Sequence, residues 1–196
     1  MVKLVALDVA ILPPPDVMAR AVELSAALPS EGAQGLRLDG DHLPHVTLTQ
    51  HFVRHEELEL VFSHVDTVLA DQPPLRIAVT GGGQSGHTLW MSIERTRELL
   101  DLHERLMEEL RGVERQEGGP HAFFEETGRV RDVLWVTGYR LKSSSSAYTP
   151  HITLGHGNQA PEIEPFTFDA TTIAACHLGR FCACRQVLRA WTLTRD

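Results

Sequence analysis

One short segment occurs twice in this chain, and the repeat constrains the fold more than any other feature. Pro44-His45-Val46-Thr47-Leu48 returns as Pro150-His151-Ile152-Thr153-Leu154, 106 positions downstream. Alternate side chains of an extended strand share a face, so His45 and Thr47 point one way while Val46 and Leu48 point the other. The second copy alternates identically. Each copy anchors itself by an apolar face and presents an imidazole beside a hydroxyl on the opposite face. A chain built on this unit is expected to form two similar lobes placed face to face, with both polar faces turned to one cleft.

The remaining pattern supplies strands and helices for such lobes. Val2 to Leu12 reads as a strand that Pro13-Pro14-Pro15 ends, with Asp16 as the cap of a helix running to about Leu28. Leu43 to Phe52 alternates as a strand, and Glu56 to Leu69 has helical spacing. Leu75 to Thr80 and His87 to Ile93 form a hairpin around Gly81-Gly82-Gly83. That glycine run lacks the Lys-Ser/Thr of a phosphate-binding loop. Thr96 to Arg111 buries Leu99, Leu102, Leu106 and Leu110 along one helical stripe. Gly112 to Gly128 is read as a loop or lid, Val133 to Leu141 as a strand, and Ser143 to Ser146 as a turn. Thr149 to Leu154, Phe166 to Ala174 and Val187 to Thr194 complete the strands. The class is α+β.

With 196 residues, 42% of them hydrophobic and 22% charged, the chain can bury a substantial core. A single bilobal domain over residues 1–196, acting as a monomer, is expected. The formal net charge of −8 argues against a long polyanion tracking over the surface, yet leaves room for a small anion in a local pocket. No apolar run is long enough to cross a bilayer, and Asp8 with the three prolines spoils the N-terminal stretch as a signal peptide. A cytoplasmic protein is expected. Cys176, Cys182 and Cys184 are too few for a disulfide framework, and with His177 they lack a second ligand pair at zinc spacing. They read as buried or half-buried thiols in a reducing compartment.

Two His-x-Thr faces across a cleft suit cleavage of a phosphodiester. One imidazole removes a proton from the attacking oxygen while the other gives one to the leaving oxygen. The hydroxyls of Thr47 and Thr153 donate to the non-bridging oxygens as charge redistributes. This scheme needs neither metal nor cofactor, and unshifted imidazoles would place its maximum at roughly pH 6 to 8.

The paired His-hydrophobic-Thr-hydrophobic segments resemble the motifs of the 2H phosphoesterase superfamily, which includes 2′-5′ RNA ligase-like proteins and cyclic phosphodiesterases. That resemblance implies a bilobal α+β fold with pseudo-twofold symmetry and a central cleft holding His45, Thr47, His151 and Thr153. It also implies metal-free action on 2′,3′-cyclic phosphates, of a nucleotide or an RNA 3′ end, or on ADP-ribose cyclic phosphate. Arg131 to Val136 with Tyr148-Thr149-Pro150 is similar to the plant-type cyclic phosphodiesterase-like branch. The acidic charge and the Gly112 to Gly128 insertion favour hydrolysis of a small cyclic ester over ligation of long RNA, and the presence of both imidazoles disfavours a third reading, a non-catalytic RNA-end or nucleotide-binding module.

Two substrate-binding candidates join the four. Tyr148, three residues before His151, is placed to stack on a base or reach phosphate with its hydroxyl, and Lys142 to screen phosphate charge. Phe123 and Phe124 either close over a nucleobase or pin their loop to the core. His51 shares parity with His45 only if the strand carries no bulge. Trp90 and Trp135 are assigned to the core.

Overall fold

A computed structural model describes residues 2–29 and 35–195. The chain runs β1 (Leu4–Leu12), α1 (Pro15–Ala26), β2 (Val46–Arg54), α2 (Leu58–Leu69), β3 (Leu75–Ser85), β4 (Thr88–Ile93), α3 (Arg97–Glu109), α4 (Val130–Lys142), β5 (His151–His156), β6 (Phe166–Ala170), β7 (Thr172–Leu178) and β8 (Cys184–Thr192). The eight strands form one antiparallel sheet in the order β6-β3-β4-β5-β2-β1-β7-β8.

Taken from its centre, that order is two equivalent halves. The motif strands β2 and β5 meet at the seam, where Val46 pairs with Ile152. These are the equivalent residues of the two motifs, so the pseudo-twofold axis passes between them. Outward from the seam β1 corresponds to β4, and the connecting helices α1 and α3 cross over, α1 packing on β5 and α3 on β2. Even the irregularities repeat. Register slips by one residue between Val9 and Ala10 opposite β2, and again between Leu89 and Trp90 opposite β5.

The sheet is curled, as its connections require. Laid flat, β6 and β7 would stand about 29 Å apart at ~4.8 Å per strand. Only Thr171 joins them, and such a link spans about 7 Å.

Each face of the sheet has its own core. Val5, Leu7, Val9 and Ile11 of β1 join Val46, Leu48, Ile152 and Leu154 and the apolar stripes of α1, α2 and α3. Each such side chain, fully buried, contributes about 1.5–3 kcal/mol. On the other face Ala6, Ala10, Phe52, Cys176 and Cys184 pack under Phe123 and Val136.

Several sequence expectations are revised. Residues 133–141 form helix α4, not a strand. Asp132 accepts a hydrogen bond from the Arg129 backbone N–H at 3.0 Å, closing a capping box, and the buried positions Asp132, Val136 and Tyr139 follow helical spacing. Helix α1 starts two residues earlier than expected, with Pro14 at the cap and Asp16 in its first turn. Phe166 to Ala174 is two strands. The 113–129 segment is pinned and not a free lid, because Phe123 is buried edge-on against Phe52 at 5.9 Å between ring centroids.

Candidate active site

Both motif histidines are held the same way. The Nδ1 of His45 lies 2.8 Å from the carbonyl oxygen of Leu43, and the Nδ1 of His151 lies 2.7 Å from that of Thr149. A carbonyl can only accept, so in each ring Nδ1 carries the proton and Nε2 is left for the cleft. The holding carbonyl is in both cases two residues upstream, a second consequence of the repeat.

His45, Thr47, His151 and Thr153 line one cavity of about 520 Å³. That volume suits a nucleotide-sized ligand. Burial lowers the proton affinity of both imidazoles, against the pull of their carbonyl partners, and the positive charge of His45 lowers that of His151 further.

Beneath His45 lies a residue that the sequence reading passed over. Asp8, in the middle of β1, is fully buried, and its Oδ2 accepts hydrogen bonds from Thr47 Oγ1 and Gln50 Nε2, both at 2.8 Å. His45 Nε2 stands 3.8 Å from the same oxygen. Burial pushes the Asp8 carboxyl up to about 7, despite the two hydrogen bonds that favour its ionised form. A group that is mostly neutral below that pH gives His45 little ion-pair support. The signal was present in the sequence: one charge inside the apolar run Leu4–Leu12 must face something polar.

The bulge in β2 decides which later side chains reach the site. Gln50 joins Thr47 on the cleft face, whereas His51 turns away to hydrogen-bond Glu114 at 3.0 Å, and Glu114 is ion-paired with Arg140 at 2.7 Å. The unbulged strand that would have put His51 on the cleft face does not form, and His51 lies outside the cleft.

Tyr148 lines the cleft only as support. Its ring is buried and stacked on His103 at 4.0 Å, and its hydroxyl donates to the Thr47 carbonyl at 2.8 Å. His103 accepts from the Ser145 N–H through Nε2, so its Nδ1–H donates to the Leu48 carbonyl at 2.5 Å. Three residues before the second motif, Tyr148 thus holds the strand of the first. Lys142 is exposed at the end of α4 and contributes to the cleft wall. Arg129 and Arg131, which the sequence reading did not single out, stand on the same wall. Trp90 and Trp135 are not core. Trp90 lies 5.3 Å from the His151 ring, Trp135 is 49% exposed, and both line the cleft. His177 turns to the Ala122 carbonyl, and no thiol of the chain is paired in a disulfide.

A profile of the 2′-5′ RNA ligase superfamily matches residues 13–175. The chain belongs to that superfamily, whose members are 2H phosphoesterases. No curated protein matches the sequence. Among solved structures the fold is similar to TT0787 of Thermus thermophilus (TM-score 0.63, 20% identity, covering 97% of this chain and 99% of that one). It is also similar to E. coli LigT complexed with 3′-AMP (0.63, 19%, 98% and 100%) and to the MHV ns2 PDE domain (0.56, 14%, 90% and 99%).

Proposed function

We propose that the chain is a cyclic phosphodiesterase that opens a 2′,3′-cyclic phosphate, of a nucleotide or an RNA 3′ end, or ADP-ribose cyclic phosphate, to a monoester. The observation that carries this reading is the matched pair of imidazoles, each with Nδ1 tied to a carbonyl and Nε2 turned to one cavity. In the reaction one Nε2 takes a proton from water as the water oxygen bonds to phosphorus. The other gives its proton to the ribose oxygen as that P–O bond breaks. Thr153, and Thr47 once its hydroxyl turns from Asp8, donate to the non-bridging oxygens. Lys142, Arg129 and Arg131 add positive charge at the rim, and Tyr148 positions the Thr47 strand. E. coli LigT has been seen with 3′-AMP and with phosphate, which supports a nucleotide phosphate in the equivalent cavity. The free thiols fit a cytoplasmic setting.

A second reading, reversible 2′-5′ RNA ligation through the same residues, is favoured by the family that the profile describes. Incubation with 2′,3′-cyclic nucleotides, ADP-ribose cyclic phosphate and 2′-5′-linked dinucleotides, with products separated by chromatography, distinguishes the two. Monoester from the cyclic substrates is expected, falling about 100-fold or more in His45→Ala and in His151→Ala, with the double variant little worse. Near-normal turnover in either single variant would refute the paired assignment.

A further inference from the structure

Three side chains under the cleft form a group that the acid–base scheme leaves unused. Asp8, His45 and Cys184 each bring one ligand atom to a common point, all within 4.8 Å of one another. They come from three separate pieces of chain, β1, the residue just before β2 and the start of β8, so only the fold assembles them. Carboxylate, imidazole and thiolate together match the donor set of a borderline-soft divalent cation such as Zn²⁺.

Each donor is already oriented. His45 has its Nδ1–H spent on the Leu43 carbonyl, which leaves Nε2 as the ligating nitrogen and is the outer-sphere bond that metal-bound histidines usually make. Leu43 also ties down the backbone that carries the third donor, because its N–H donates to the Cys184 carbonyl at 2.9 Å. Asp8 has Oδ2 filled by Thr47 and Gln50, but its Oδ1 is buried and, among the described residues, has no hydrogen-bond partner. A buried oxygen without a partner costs about 1–3 kcal/mol, and a cation would satisfy it. Asp8 and Cys184 are wholly buried while the His45 side chain keeps 11% exposure, so an ion would enter from the cleft and keep a coordination position open toward it.

We propose that Asp8, His45 and Cys184 form a site for one soft divalent cation, and that occupation of this site switches the enzyme off. Binding forms M–Oδ1, M–Nε2 and M–Sγ bonds and releases to solvent the Cys184 thiol proton and, where the Asp8 carboxyl is protonated, its proton too. The inhibitory half rests on the function proposed above: the Nε2 lone pair cannot bind the metal and also carry the catalytic proton.

The test uses the full chain freed of metal with EDTA. One equivalent of Co²⁺ should bring up a thiolate-to-cobalt charge-transfer absorption. That band should vanish in Cys184→Ser and in Cys184→Ala, persist in Cys182→Ser, and be displaced by Zn²⁺. Circular dichroism melts show which variants are folded. With a turned-over cyclic phosphate, Zn²⁺ should suppress turnover tenfold or more, and EDTA should restore it. Cys184 takes no part in the acid–base pair. Metal-free Cys184→Ser should therefore work within about twofold of the parent and need at least tenfold more Zn²⁺ for the same suppression. Absence of the band in the parent chain overturns the site whatever the variants do. Its persistence in folded Cys184→Ser overturns the ligand assignment. A band without inhibition overturns the switch. If no substrate is turned over even without metal, the functional reading fails, and the cobalt spectrum still decides the site.

Discussion

An imidazole that moves a proton in one direction needs one nitrogen held and the other free, and the chain meets that need twice by the same local means. The carbonyls of Leu43 and Thr149 fix the tautomer, and burial sets the proton affinity. Both affinities lie below the usual histidine value near 6.5, and they belong to a coupled pair. In the proposed reaction the active form carries one proton on that pair. It is lost at low pH when the base is protonated and at high pH when the acid is deprotonated. Because both affinities are lowered, the alkaline limb of kcat/KM, which reports the free enzyme, falls early. The maximum is expected below about pH 6.5, on the acid side of what unshifted imidazoles would give. Asp8, mostly neutral in that range, offers little opposition. A bound phosphate anion favours the imidazolium, so the kcat profile should be displaced to higher pH than the kcat/KM profile. Both profiles, recorded with EDTA present, check this. A kcat/KM maximum above about pH 7.5 would contradict the role given to burial.

At the scale of elements, the strands that carry the site were legible because a period of two is written into the motifs themselves. Val46, Leu48, Ile152 and Leu154 are all completely buried while the intervening His and Thr are not. Helix α4 was not legible, since Val130-Arg131-Asp132-Val133-Leu134-Trp135-Val136 is rich in β-branched and aromatic residues. Only the capping box and the burial of Val136 and Tyr139 select the helix, and tertiary packing overrode local preference. The bulges were equally hidden, because register belongs to a pair of strands and not to one. At the second bulge the chain uses Gly155, with φ of +148°, and a Cβ there would stand 2.5 Å from the Leu36 carbonyl oxygen. Gly155→Ala is therefore expected to cost on the order of 2 kcal/mol or more. In a chain of this size that lowers the melting temperature by about 4–8 °C. Calorimetry on the metal-free protein tests it. A drop under about 1 °C would mean that the bulge relaxes freely.

For the whole molecule the question is how a chain of net charge −8 would recognise the anion proposed as its substrate. The halves meet at a seam that gathers Arg129, Arg131 and Lys142 around one cavity of about 520 Å³, enough for a nucleotide end and too small for a duplex. Outside that cavity a long RNA would meet a surface of predominantly like charge, without the row of cations that draws affinity from counterion release. Recognition should accordingly stop within a nucleotide or two of the cyclic phosphate. Extending the substrate from a dinucleotide to roughly twenty nucleotides with the same 2′,3′-cyclic end should change kcat/KM by less than about threefold at about 0.15 M salt. With two or three phosphates contacted, the slope of log kcat/KM against log salt should be no steeper than about −2. Both follow from steady-state rates on matched oligonucleotides across a salt series. A long substrate favoured more than about tenfold, with a slope beyond about −4, would show that cations outside the cleft bind backbone. The restriction of recognition to the terminal phosphate would then be wrong.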